Sequence, residues 1–172
     1  MKRNSLRTAS RRAALCALLA ALTAALQAAM SPLPNIEPVS LLVLVYALVF
    51  GWDVFYIIYT FVLLEGLIFG FHLWWVTYLY IWSLWALAVL LAGRRKEHGP
   101  LVWAAASGAF GLGFGALCAL PYLAGGPWAA FSYWVAGIPF DVLHCVGNFA
   151  LALLLERPLY RLMVRLRNRT GF

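Results

Sequence analysis

The stretch Ile138–Tyr160, IPFDVLHCVGNFALALLLERPLY, decides the fold: an apolar run long enough to cross a bilayer, interrupted by Asp141, His144 and Asn148. At offsets of three and seven these residues share one helical stripe, and Cys145, four after Asp141, lies beside them. A charge at the bilayer centre costs about 2.5–3.5 kcal/mol on the insertion scale, so such a stripe faces a protein interior or a wet cavity. The helix is therefore expected to line a pocket; the competing reading is a satisfied contact between packed helices.

Outward from that helix, the rest of the chain has the same character. Of 172 residues, 65% are hydrophobic and 11% charged, and mean hydropathy is +0.86. Apolar segments fall at about 13–30, 38–51, 54–70, 72–92, 100–123 and 134–155, each read as a helical span although the second is short. The expected fold is all-α, a polytopic bundle of six transmembrane helices in one membrane domain, 1–172, with basic tails at about 1–12 and 156–172. Little sequence remains for a soluble catalytic or nucleotide-binding domain.

The net charge of +7 does not indicate nucleic acid. All thirteen Lys and Arg fall in three groups: Lys2, Arg3, Arg7, Arg11 and Arg12; Arg94, Arg95 and Lys96; Arg157, Arg161, Arg165, Arg167 and Arg169. With six spans these groups share one side, and the opposite loops contain neither residue. The positive-inside rule then puts both termini in the cytoplasm of a cell with a multi-pass plasma-membrane protein, and the tails near anionic lipid. Cys16, Cys118 and Cys145 lie in apolar spans without ligand spacing, so neither a disulfide framework nor a structural metal site is expected.

The N-terminal MKRNSLRTASRR followed by AALCALLAALTAALQAA has the form of a secretory signal with cleavage near Ala28; a retained helix is the preferred reading. Its small residues form two rows, Ala13, Ala17, Ala21 and Ala25, and Ala20, Ala24 and Ala28. Either row permits close helix approach, to a partner or within the bundle. Pro32, Pro34 and Pro38 then place Asn35 and Glu37 in a stiff outer loop on the same side as Asp141. Glu65 and His72 follow near the outer end of the third span. In the fourth, Tyr78, Trp82 and Trp85 share a face, while Trp74 and Trp75 suit an interfacial belt. Gly111 and Gly115 of GAFGLGFG read as a GxxxG packing face, since no strand precedes them as a nucleotide loop requires. Pro121, the AGGPWAA loop, Trp134, Gly137 and Pro139 are expected before the last helix.

The alanine-rich first helix, PNIEPVSLLVLVYALVFG, VFYIIYTFVLLEGLIFGFHLWW and YWVAGIPFDVLHCVGNFALALLLERPLY occur in an order that resembles the substrate-binding S components of energy-coupling factor (ECF) transporters. The likeness covers nearly the whole chain and lies in motif order and layout. It implies a six-helix bundle that captures a vitamin-like micronutrient outside the cell, then joins a coupling transmembrane subunit and two cytoplasmic ATPases. ATP would bind those partners, and this chain would carry no cofactor. By position, the resemblance implies substrate contacts from Asn35, Glu37, Tyr78, Trp134, Asp141, His144 and Asn148. It also implies contact with the coupling subunit through Ala17 with Ala21, or Ala20 with Ala24. The nickel and cobalt members begin Met-His, whereas this chain begins Met1, Lys2, Arg3, which argues against the metal branch.

The residues themselves suggest a substrate class. Glu37, Glu65 and Asp141 lie in the outer half without Lys or Arg, which disfavours anionic vitamins and suits a neutral or cationic nitrogen heterocycle stacked on Trp or Tyr. One alternative is a divalent-metal permease using Glu65, His72, Asp141, His144 and Cys145. An intramembrane enzyme is a second; no GxSxG, HExxH or paired-aspartate signature supports it, and the chain is read as non-enzymatic.

Overall fold

The computed structural model describes residues 2–33, 35–93 and 98–170. Arg94, Arg95 and Lys96, and the side chains of Lys2, Arg3 and Arg7, lie outside what is described. Among the described residues the chain is almost entirely helical and has no strands. Its α-helices are α1 (Lys2–Met30), α2 (Val39–Phe50), α3 (Val54–Phe69), α4 (Leu73–Gly93), α5 (Pro100–Cys118) and α6 (Pro127–Thr170), with 3-10 turns at Gly51–Asp53 and Leu120–Gly125. Among the described residues, five stretches are long and apolar enough to cross a membrane: Ala9–Met30, Val39–Phe69, Leu73–Gly93, Pro100–Gly125 and Pro127–Arg169. The second contains both α2 and α3, which the sequence reading divided into two spans.

The short α2 is the centre of the bundle. Apart from Ser40 and the Tyr46 hydroxyl it is apolar on every face, which is the pattern of a helix with no solvent face, and all of it except Leu48 is buried, against α4 and α6 above all. Gly51, at φ +61°, ends it, and its N–H donates to the carbonyl of Ala47. That left-handed conformation is readily adopted only by a residue without a Cβ.

The α5–α6 pair makes the most extensive contact in the molecule, and its cause is the glycine row read from the sequence. A Cβ on Gly111 would come within 2.8 Å of the His144 backbone, and one on Gly115 within 2.4 Å of Asp141 Oδ2. The two backbones thus approach as GxxxG faces allow. On the other side of the bundle, the Trp75 indole N–H donates to the Val62 carbonyl at 2.8 Å, and the Tyr80 hydroxyl to the Leu117 carbonyl at 2.6 Å. Aromatic side chains fill the centre: Trp85 stacks on Phe110 at 4.8 Å, and Trp82 packs on Tyr78 at 5.3 Å and Phe114 at 5.6 Å.

The helices at both termini extend further than hydropathy suggests. α1 includes the charged head from Lys2. α6 starts at Pro127, where a missing N–H costs nothing, and runs 44 residues to Thr170 through Pro139 and Pro158. Trp134, Gly137 and Pro139 therefore lie inside this helix instead of before it. Each internal proline leaves one carbonyl four residues earlier without its helical donor, and the remaining ladder carries the helix across.

Candidate functional site

Glu37 lies one residue before Pro38, the N-cap of α2, and its carboxylate caps that helix. It accepts hydrogen bonds from the N–H of Val39 and from the N–H of Ser40 at 3.2 Å. A helix N-terminus offers unpaired donors and a favourable dipole to a carboxylate, so the loop is anchored at this point. The Ser40 hydroxyl donates to Glu37 Oε1 at 2.6 Å, and His144 Nε2–H donates to the same oxygen at 3.1 Å. Nε2 carries the hydrogen because a carboxylate only accepts. The amide of Asn148 donates to Ser40 Oγ at 3.0 Å, and the Trp85 indole N–H to the Ser40 carbonyl at 2.9 Å. Ser40, fully buried, thus ties together the loop, α2, α4 and α6.

Asp141, one turn before His144, is held differently. Its Oδ1 accepts the N–H of Gly115 at 2.9 Å, while Oδ2 has no hydrogen-bond partner among the described residues. Asp141 and His144 share a stripe but belong to separate arrangements, one bound to α5 and one to the outer loop.

Two adjacent cavities meet these groups. The first, of about 210 Å³, is lined by Gln27 and Met30 of α1, by Ser31, Leu33, Asn35, Ile36 and Glu37 of the loop, and by Tyr78, Trp82, Phe114 and His144. Its walls are aromatic, with Phe114 edge-on to the His144 ring at 4.7 Å. Two of its polar atoms have no partner among the described residues: the acceptor Gln27 Oε1 and the donor Trp82 Nε1. The second cavity, of about 480 Å³, is lined by Asn35, Phe114, Gly115, Cys118, Tyr133, Ala136, Gly137, Phe140 and Asp141. Asn35 and Phe114 belong to both. Asn35 has φ +55°, the left-handed region that Asn tolerates better than most residues.

Of the residues singled out in the sequence, Asn35, Glu37, Tyr78 and His144 thus line the first cavity and Asp141 the second. Asn148 lines neither, and its amide donates to Ser40 Oγ. Glu65 is buried in α3, with Oε1 unpartnered among the described residues, and also lines neither. Trp134 is exposed and sits in a shallow apolar groove with Leu120, Leu123 and Phe131. The alanine rows separate cleanly. Ala20 and Ala24 are buried, Ala17 and Ala21 are exposed, and α1 packs mainly on α3.

Sequence reasoning missed Ser40, Gln27, Phe114 and the Gly115 N–H. Only Ser40 had a local signal: an acid just before a proline, with a serine three residues on at an apolar run, is a helix-start pattern. Among the described residues, no group of three His, Cys, Asp or Glu side chains is gathered tightly enough to hold a metal ion.

No protein family, curated protein or solved structure matches the chain. The functional reading therefore stands on these residues and their geometry.

Proposed function

We propose that this chain is the substrate-capturing S component of an ECF-type importer, binding a small vitamin-like molecule at the end of the bundle away from its arginines. The observation that carries the reading is the pair of adjacent cavities that share Asn35 and Phe114, with aromatic walls and unpartnered polar atoms. A site of this kind takes a compact ring with a few hydrogen-bonding groups. Glu37 already accepts from Val39, Ser40 and His144. Asp141, with one free oxygen, is the carboxylate left for a cationic nitrogen, while Gln27 and Trp82 offer an acceptor and a donor to a neutral one. The substrate is a neutral or cationic nitrogen heterocycle.

Several contacts support six crossings with both termini in the cytoplasm. Arg12 forms an ion pair with Asp53, just after α2. The Arg167 guanidinium donates to the Val49 carbonyl at 2.8 Å, and Leu48 lies against Gly93. The start of α2, by contrast, meets Trp85, His144 and Asn148. α2 and α3 are then two crossings joined by a reversal at Gly51–Asp53, and the arginine-bearing end is cytoplasmic in a prokaryotic plasma membrane. The exposed Ala17 and Ala21 suit close approach of a coupling transmembrane subunit, which would bring two cytoplasmic ATPases and their ATP. An enzymatic role finds less support, because Asp141 and His144 are bonded to different groups and do not form an acid–base pair.

The test is to purify the chain alone and identify by mass spectrometry the small molecule that accompanies it, then to measure its ATP-dependent uptake in cells with and without the coupling subunits. A nitrogen heterocycle whose uptake requires those subunits is expected. A ligand whose only polar group is an anion, or uptake unaffected by removing the subunits, would overturn the proposal.

A further inference from the structure

The second outer cavity, of about 480 Å³, combines aromatic walls with one negative charge. Tyr133, Ala136, Gly137, Phe140 and Asp141 recur at offsets of three, four, seven and eight, so they form one stripe of α6 along it. The small residues leave room in the middle of that stripe, where a Cβ at Gly137 would meet nothing within 4 Å. Tyr133 and Phe140 stand on either side of Gly137 along the helix, and α5 adds Phe114. Tyr122 stacks on Tyr133 at 4.1 Å and holds that ring in place. Asp141 is only 5% exposed, and its Oδ2 has no hydrogen-bond partner among the described residues. Its Oδ1 is engaged by the Gly115 N–H, and His144, one turn on, directs its Nε2–H to Glu37 instead. None of the residues lining the cavity is Lys or Arg.

We infer that this cavity is an aromatic cage for an alkylated, permanently cationic nitrogen, the charged part of the heterocycle proposed above, on which reading the inference rests. Aromatic faces attract a cation through the ring quadrupole, most strongly when the cation has left water. A primary ammonium carries three N–H donors that must be satisfied on leaving water, whereas rings and small residues line most of this cavity. An alkylated nitrogen has no N–H to satisfy. It needs rings around it and a carboxylate within Coulomb range, and Phe114, Tyr133 and Phe140 with Asp141 supply both. Phe114 borders both cavities, so the uncharged ring of the same ligand can lie in the first, beside Gln27 and Trp82.

The experiment is an NMR titration of the full-length protein, purified in non-ionic detergent and stripped of co-purified ligand, with three probes of one skeleton. These are choline, its uncharged isostere with tert-butyl in place of trimethylammonium, and ethanolamine. Choline should bind about tenfold more tightly than either of the others. Phe140→Leu and Tyr133→Leu, both at exposed positions, should each weaken choline several-fold and leave ethanolamine unchanged. Asp141→Asn, which keeps an acceptor for the Gly115 N–H, should bring choline level with its isostere. Choline no tighter than ethanolamine or the isostere in the unaltered protein overturns the inference, as does the absence of binding by all three. So does an advantage of choline that survives in both ring variants, which supply the decision if Asp141→Asn fails to fold. Failure of the transport reading looks different. Selective choline binding by a chain whose co-purified molecule enters cells without the coupling subunits keeps the cage and removes the importer. Subunit-dependent uptake of a co-purified heterocycle without a charged nitrogen keeps the importer and removes the cage.

Discussion

Asp141 and Glu37 are both outer carboxylates in the sequence, yet their surroundings give them different work. Glu37 is saturated by a helix N-terminus, a serine and a histidine, so it holds the loop in place; Asp141 keeps one oxygen free. Replacing Asp141 with Asn is expected to weaken binding of a cationic or N–H-donating substrate by about tenfold to a hundredfold, the weight of one charge-assisted hydrogen bond. Isothermal titration with the co-purified ligand reads this directly, and unchanged affinity would remove Asp141 from the site. Gly115 provides a sharper test of the geometry. A methyl there would collide with the Asp141 carboxylate, whereas one at Gly113 would meet nothing within 4 Å. Gly115→Ala should therefore lose about 1–3 kcal/mol, as overpacked positions do, and Gly113→Ala should be neutral or slightly stabilising. Thermal unfolding in detergent separates the two, and equal midpoints would contradict the α5–α6 packing. The polar stripe of α6 was legible in the sequence because helical period alone aligns Asp141, His144 and Asn148. Their partners were not: the Glu37–His144 and Ser40–Asn148 bonds join residues more than a hundred positions apart.

For single helices, α1 shows what periodicity leaves open. Its two alanine rows are equivalent in spacing, and only the position of α3 turns Ala20 and Ala24 inward and leaves Ala17 and Ala21 outside. Trp in place of Ala20 must displace core side chains and should prevent stable folding. Trp in place of Ala17 should leave the isolated protein folded and its ligand affinity intact, while abolishing uptake by blocking the coupling subunit. Size-exclusion profiles and ligand titration, set beside uptake, distinguish these outcomes; normal uptake by Ala17→Trp and Ala21→Trp would end the assignment of this face to a partner. The ends of α6 were illegible for a different reason. Glycine, proline and a basic run all signal termination locally, but the surviving ladder carries the helix through them.

Across the whole molecule, the charge distribution was the most readable property, since it depends on no packing detail. The six-crossing reading puts Gly126 outside and Gly99 in the cytoplasm. Cysteines introduced singly at these exposed or half-buried turns, in a background lacking Cys16, Cys118 and Cys145, should label respectively in intact cells and only after permeabilisation. The reverse pattern would invert the bundle, and labelling of both from outside would require an even number of crossings between them. Hydropathy alone merges α2 with α3 into one stretch, because the Gly51–Asp53 turn contains no charged residue before Asp53 and is marked only by a backbone conformation.

The two prolines of α6 have a mechanical consequence. Helix bends concentrate at proline, where a ladder bond is missing. Pro139 and Pro158 enclose residues 140–157, which at about 1.5 Å per residue form a rod of about 27 Å, close to the thickness of a hydrocarbon core. That rod contains Asp141, His144, Asn148 and Glu156. A bend at either proline falls outside this stretch, so the spacing of the side chains within it is fixed by uninterrupted helix, like marks on a ruler.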